Sequence, residues 1–196
     1  MKQIVLASNN QGKLDEFNAI FKNSAFEIIP QSKFNVTEID EPYFTFIENA
    51  LHKARHCSKF TNLPVLADDS GICANALGGR PGVYSARFAG IPTNSKNNCR
   101  KLVEELEPFT DKSAYFCCTL VLIRHYHDPQ PIISDGILKG QIIDHPRGNN
   151  GFGYDPHLLL PQFNKTVAEL DPAEKNKLSH RYLAIQNLLQ KINNIL

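Results

Sequence analysis

The chain has 196 residues, 42% hydrophobic and 21% charged, which predicts one globular domain over residues 1–196 and excludes a disordered or fibrous chain. Its 21 basic and 20 acidic residues give a formal net charge of +1, whereas a nucleic-acid binder carries a strong basic excess. The longest apolar run, Ala114–Ile123, contains Thr119 and is far short of the roughly 20 residues of a membrane-spanning helix.

At the start, Ile4–Ala7 is a run of only four apolar residues. A signal peptide needs about 7–15, so a cytoplasmic protein is expected, and Ile4–Ala7 reads as a short buried strand. Leu14, Phe17 and Phe21 then mark an amphipathic helix over Gln11–Lys22. Phe26–Ile29 is a second strand, stopped by Pro30. A helix follows Thr45, with Ala50, Leu51, Ala54 and Cys57 at helical spacing and Thr45 and Glu48 spaced as a capping box. Leu63–Ala67 is a strand expected to end in Asp68–Asp69–Ser70–Gly71, and a Gly/Pro-rich loop runs through Leu77–Gly82.

Thr93–Leu106 carries Cys99, Leu102, Val103 and Leu106 on one helical face. Ser113–Ile123 and Ile132–Leu138 are the longest strand candidates, with Gln141–Ile143 continuing the second beyond a turn at Gly140. Asp171–Pro172–Ala173–Glu174 starts a helix: an Asp cap, Pro in the first turn, and an acid three residues on. The tail to Ile195 has helical periodicity as one helix or as two divided at Ser179. This order predicts an α/β fold with a mixed central sheet flanked by helices, because the middle strands lie too close together for helical crossovers. The odd count of five cysteines, without CxxC spacing, predicts reduced, mostly buried thiols.

Several polar clusters fall at strand ends, where α/β proteins bind ligands. Ser8–Asn9–Asn10–Gln11–Gly12–Lys13 opens a helix. It fits an anion site of free N–H groups plus a lysine, or simply a helix cap with a solvated lysine. It is not a Walker A loop, since Leu14 replaces the Ser/Thr. Asp68–Asp69–Ser70–Gly71 fits a cation-binding acidic pair or a tight turn. Asp40–Glu41 is a second acidic pair, read as a solvated loop or as a further ligand source. Gly148–Pro156 interleaves three glycines with Phe152 and Tyr154, which fits a base-stacking loop or a turn with core aromatics. Lys175 and Ser179–His180–Arg181 fit a ligand contact or an exposed basic face. Tyr84–Arg87 reads as site lining or as a structural loop. His125–Tyr126–His127 lacks a third zinc ligand, and Ser70 lacks a nucleophile elbow.

Together these segments resemble the Ham1/inosine triphosphate pyrophosphatase family. The resemblance rests on Ser8–Lys13, Thr45–Ala54, LADDSG at Leu66–Gly71, ALGGRPGVYSARFAG at Ala76–Gly90, Phe116–Leu120, PRGNNGFGYDP at Pro146–Pro156 and EKNKLSHR at Glu174–Arg181. It implies a two-lobed fold with a cleft, a homodimer, and Mg²⁺-dependent cleavage of a purine nucleoside triphosphate to the monophosphate and pyrophosphate. The favoured bases are hypoxanthine and xanthine.

The matching positions imply phosphate contacts from Ser8, Asn9, Asn10, Gln11, Gly12, Lys13 and Lys53. They imply metal ligation by Glu41 and Asp69, with Asp69 as general base. Asp68 or Glu41 is left able to share either role, because metal binding lowers the basicity of Asp69. They imply nucleotide contacts from Ser70, Phe152, Gly153, Tyr154, Asp155, Lys175, His180 and Arg181. Two departures stand out: Pro42–Tyr43 where members often have Thr–Gly or Asp–Gly, and Asn149–Asn150 where smaller residues are common. A Maf-like pyrophosphatase of pyrimidine or modified nucleotides is the alternative enzyme. A catalytically silent binder is disfavoured because Lys13, Glu41, Lys53, Asp68 and Asp69 are all present.

Overall fold

A computed structural model of the chain describes residues 2–22 and 24–192. The elements in order are β1 (Lys2–Leu6), α1 (Gln11–Phe21), β2 (Phe26–Pro30), α2 (Phe46–Thr61), β3 (Val65–Ala74), α3 (Ser95–Leu106), β4 (Ser113–Ile123), β5 (Ile132–Ile142), β6 (Leu158–Leu160), β7 (Lys165–Thr166), α4 (Pro172–Leu178) and α5 (His180–Ile192). The seven strands form one sheet in the order β2-β1-β3-β4-β5-β6-β7. β1 pairs in parallel with β2 and β3, while β5–β6 and β6–β7 are antiparallel. The sheet is therefore mixed, as the connection lengths predict.

Local chemistry sets the helix starts. Asn10 caps α1 by accepting from the Lys13 N–H, Thr45 caps α2 by accepting from Glu48 N–H, and Asn94 caps α3 by accepting from Asn97 N–H. Asp171 and Glu174 form a full capping box on α4, with Pro172 in its first turn. The tail is two helices, since Ser179 takes an extended conformation (ψ 150°) between α4 and α5. Residues 193–195 of the expected tail lie outside the described residues.

Two expectations fail. β3 does not stop at Ala67 but runs through Asp68–Asp69–Ser70–Gly71 to Ala74. Two carboxylates and a glycine read locally as a turn, yet the carboxylates find partners on either face and the glycine admits a close neighbour, as described below. β5 likewise passes through Gly140 without a turn.

The chain divides into two compact units. The first runs to Asp69 and adds Cys118–Gly136 and the chain from Arg181 onward; the second is Ser70–Cys117 with Ile137–His180. In the first unit, Ile4, Leu6 and Leu66 pack with Leu14 and Phe17 of α1 and with Ala184, Ile185 and Leu188 of α5. Val5, Val65 and Ala67 pack instead with Ala50, Ala54 and Cys57 of α2. The two-residue period of β1 and β3 thus assigns α1 and α5 to one face and α2 to the other. In the second unit, Ile72, Ala74, Ala114, Phe116 and Leu158 pack with Cys99, Leu102 and Leu106 of α3. No disulfide links the cysteines; Cys57, Cys73, Cys99 and Cys118 are buried and Cys117 is half-buried. No helix among the described residues is long and apolar enough to cross a membrane.

Candidate active site

The polar set of the first unit is built on the middle of β3. Asp68 continues the face of Leu66, and Asp69 continues that of Ala67. Asp68 therefore meets α1 and α5. Lys13 Nζ lies 2.8 Å from Asp68 Oδ2, and Arg181 Nε lies 3.9 Å from it. The Arg181 guanidinium also pairs with Glu16 of α1. Burial alone pushes the Asp68 carboxyl up; Lys13, Arg181 and Lys53 outweigh it and hold it well below the usual carboxylate range. Burial likewise disfavours charge on Arg181, and Asp68 and Glu16 outweigh it. The solvated lysine and the exposed basic face expected as simple readings do not form: Lys13 is paired, and Lys175, Ser179, His180 and Arg181 are all buried.

Asp69 meets α2. Its Oδ2 accepts from Asn49 Nδ2 at 3.1 Å. Burial pushes its carboxyl up and the charge of Glu41 adds to this; Lys53 and Lys13 oppose it, and the result is about 6. Glu41 is not a solvated loop residue, since Lys53 Nζ holds its Oε1 at 2.5 Å. Burial pulls the Lys53 ammonium down, but Asp68, Glu41 and Asp69 together raise it. The β1–α1 loop is arranged as a cap: Ser8 Oγ accepts from Asn10 N–H at 3.2 Å, Asn9 donates to Glu38 at 3.0 Å, and Gln11 donates to Asp15 at 2.8 Å. Gly12 and Lys13 then lie in the first turn of α1, whose N–H groups carry partial positive charge.

In the second unit, Asp155 organises the glycine-rich loop. Its Oδ2 accepts from the Phe152 N–H and from Lys175 Nζ, both at 2.9 Å. The carboxylate lies so close over Gly151 (φ +80°) that a Cβ there would come within 2.1 Å of it. Lys175 Nζ sits 4.9 Å from the centre of the Phe152 ring, and Phe152 is half exposed. Tyr154 is instead a core residue whose hydroxyl donates to the Ser85 carbonyl at 2.8 Å. The Gly153 carbonyl accepts a weak bond from Cys99 Sγ at 3.4 Å. His180 stacks on Phe116, with ring centres 5.0 Å apart. Ser70 is half-buried in β3, and at the next position a Cβ would meet the Gly82 oxygen at 2.3 Å and Ser85 Oγ at 2.6 Å. Only glycine fits there.

Asn150, one of the two departures, bonds back through its N–H to Ala168 O at 3.0 Å and through Nδ2 to Leu170 O at 3.1 Å. It anchors the loop's base. Within Tyr84–Arg87, the Ser85 carbonyl accepts from Tyr154 of the glycine loop, and Arg87 Cζ sits 5.1 Å from the Tyr84 ring centre. His125 and His127 are exposed, and among the described residues no group of three or more His, Cys, Asp or Glu is gathered to hold a metal.

Sequence reasoning missed Glu16 and Asn49. Each had a signal: Glu16 lies three residues after Lys13 on α1, and Asn49 lies four before Lys53 on α2, spacings that share a helix face.

The Ham1 family profile matches residues 4–191. The dITP/XTP pyrophosphatase of Ralstonia nicotianae is 54% identical over 98% of this chain and 97% of that protein. The dITP/XTP pyrophosphatase of Chromobacterium violaceum is 54% identical over 97% and 96%. Among solved structures, a HAM1 protein from Coxiella burnetii superposes with a TM-score of 0.93 at 44% identity, covering 99% of this chain and 100% of that one. The Staphylococcus aureus Ham1 protein gives 0.88 at 38% identity, over 98% and 99%. Taken with the carboxylates and lysines gathered about the middle of β3, these likenesses show that the chain belongs to the Ham1 family.

Proposed function

We propose that the chain is a pyrophosphatase of non-standard purine nucleoside triphosphates. It cleaves dITP, XTP and ITP to the monophosphate and pyrophosphate and so clears deaminated purines from the nucleotide pool. The named relatives share about half their residues with it over nearly its whole length. The observation that carries the chemistry is Asp69: a buried carboxylate pushed up to about 6 by its burial against the opposing charges of Lys53 and Lys13. Without a bound metal such a group is mostly ionised near neutral pH yet basic enough to take a proton from water, and a metal on it would lower that basicity. A Maf-like activity on pyrimidine nucleotides has no support in the matching family or its named relatives.

In this reading, Lys13, Lys53 and the first-turn N–H groups of α1 bind the phosphates. Asp69 orients water toward the α-phosphorus and accepts its proton as the bond to the β-phosphate oxygen breaks. Glu41 and Asp69 are the residues assigned to Mg²⁺. They fit it: both are hard oxygen donors, the Glu41 charge disfavours that of Asp69, and Mg²⁺ takes one or two carboxylates beside substrate oxygens. When bound, the ion neutralises charge on the phosphates.

The purine is assigned to the second unit's loop, with the Phe152 ring as stacking surface and Asp155, Lys175, Ser70 and His180 as its polar surroundings. Arg181 is assigned as donor to the purine O6, its guanidinium aligned by Glu16 and Asp68. Adenine presents an amino group there and would leave that donor unpaired, a mismatch worth roughly 10⁴-fold in a closed site. A cytoplasmic homodimer completes the reading, with sedimentation velocity as its test.

Pyrophosphate release from ITP, XTP, dITP, GTP, ATP and UTP, with and without Mg²⁺, tests the activity. Hydrolysis of ATP or UTP at the ITP rate sinks the proposed selectivity, and undiminished turnover in chelator sinks the metal dependence.

A further inference from the structure

Asn49 is fully buried in the first turns of α2, and no step above uses it. Its carboxamide makes three contacts. Oδ1 accepts from the Tyr43 N–H at 3.0 Å, while Nδ2 donates to the Tyr43 carbonyl at 3.2 Å and to Asp69 Oδ2 at 3.1 Å. The opposite orientation of the amide would set an oxygen against two acceptors, so the network decides it. One side chain thus holds both main-chain groups of Tyr43, two residues after Glu41, and at the same time holds the Asp69 carboxylate.

The rest of that helix face reinforces the attachment. The Tyr43 ring packs edge-on against His52 at 5.3 Å, and Lys53 holds Glu41 at 2.5 Å. Asn49, His52 and Lys53 are three and four residues apart, so they form one stripe on α2. The grip is on the main chain of residue 43, so it is indifferent to the side chain there. This is why the Pro42–Tyr43 departure leaves the loop docked.

We propose that Asn49 is a positioning residue that sets the placement of the Glu41 carboxylate relative to Asp69, and thereby the affinity of the pair for a divalent cation. The inference rests on the metal-dependent pyrophosphatase reading. No other residue type supplies the three contacts at this length. Asp cannot donate to two acceptors, Gln is longer by a methylene, and Ser has one donor. Groups that orient metal ligands typically govern metal affinity or activity by about 10–100-fold.

The experiment compares the full-length wild type with Asn49→Ala and Asn49→Leu, the latter close to Asn in shape but without polar atoms. Three quantities are read: Mn²⁺ affinity without nucleotide by electron paramagnetic resonance, the Mg²⁺ concentration for half-maximal dITP turnover, and hydrogen exchange at the Tyr43 amide. Both variants should bind Mn²⁺ and respond to Mg²⁺ about 10–100-fold more weakly, with faster Tyr43 exchange. The KM for dITP at saturating Mg²⁺ should stay within about threefold, since the lysines are untouched. Unchanged Mn²⁺ affinity in a folded variant overturns the proposal, as does a loss confined to the nucleotide KM. Should Asn49→Ala fail to fold, Asn49→Leu decides by the same readings. A wild type that releases no pyrophosphate from dITP defeats the enzymatic reading instead, and the Mn²⁺ and exchange measurements still decide the role of Asn49.

Discussion

Asp68 and Asp69, adjacent in β3, face opposite sides of the sheet: Asp68 pairs with Lys13 of α1, and Asp69 is bonded by Asn49 of α2. Each is buried, but their environments push their acidities apart. Asp68 is held ionised by Lys13 and Arg181 against its burial, while burial carries Asp69 up to about 6. Two carboxylates with separated acidities take separate roles.

For Asp69, the chemistry and the stability should move in opposite directions. Asp69→Asn is nearly isosteric and should cut turnover at least about 10²-fold, the usual worth of a general base. A carboxyl raised in the folded state favours the protonated fold. Wild type therefore loses stability as pH climbs from the unfolded value of about 4 to about 6, and retains that deficit above. In metal-free buffer, Asp69→Asn should melt above wild type near pH 7.5 and level with it near pH 4. Thermal melts across that range check the sign.

Asp68 should behave as a structural charge. Asp68→Ala leaves Lys13 and Arg181 without their shared buried carboxylate, and removing one partner of a buried pair costs about 3–5 kcal/mol. Denaturant unfolding should show that loss. A variant as stable as wild type would mean that water replaces the carboxylate.

Lys13→Ala should raise the KM for ITP, more steeply as salt is lowered, because the wild-type contact is electrostatic and screened by salt. Binding of inosine monophosphate should change little. Equal weakening of monophosphate and triphosphate would remove Lys13 from the outer phosphates.

Arg181→Ala should bring the kcat/KM values for ITP and ATP together, because ATP gains nothing from a donor at O6. Arg181→Lys should restore only part of the gap, lacking the planar fork that also pairs with Glu16. An equal loss on both nucleotides would assign Arg181 to the phosphates.

Gly71→Ala should destabilise the second unit. Its Cβ would sit 2.3 Å from the Gly82 oxygen and 2.6 Å from Ser85 Oγ, and forced overpacking costs about 1–3 kcal/mol, or roughly 2–12 °C in Tm for a chain of this size. Because Ser85 also anchors Tyr154, the KM for ITP should rise with it.

What the sequence alone determined was short-range. The caps at Asn10, Thr45 and Asp171, the helices they begin, and the strand Ser113–Ile123 were legible because caps and hydrophobic periods act over a few residues. The motif set also sufficed for the family resemblance, because each segment keeps its residues whatever the packing. The tertiary structure decided the rest. Asp68–Gly71 has the composition of a turn, and only long-range partners make it strand: Lys13 and Arg181 for one carboxylate, Asn49 for the other, and the Gly82 carbonyl and Ser85 hydroxyl against Gly71. Glu16 is 165 residues from Arg181 in sequence, and no local spacing joins them. Burial converted the four-residue basic set of Lys175, Ser179, His180 and Arg181 from an apparent solvent face into interior groups. A charge cannot stay buried without a partner, and the partner was placed by the fold.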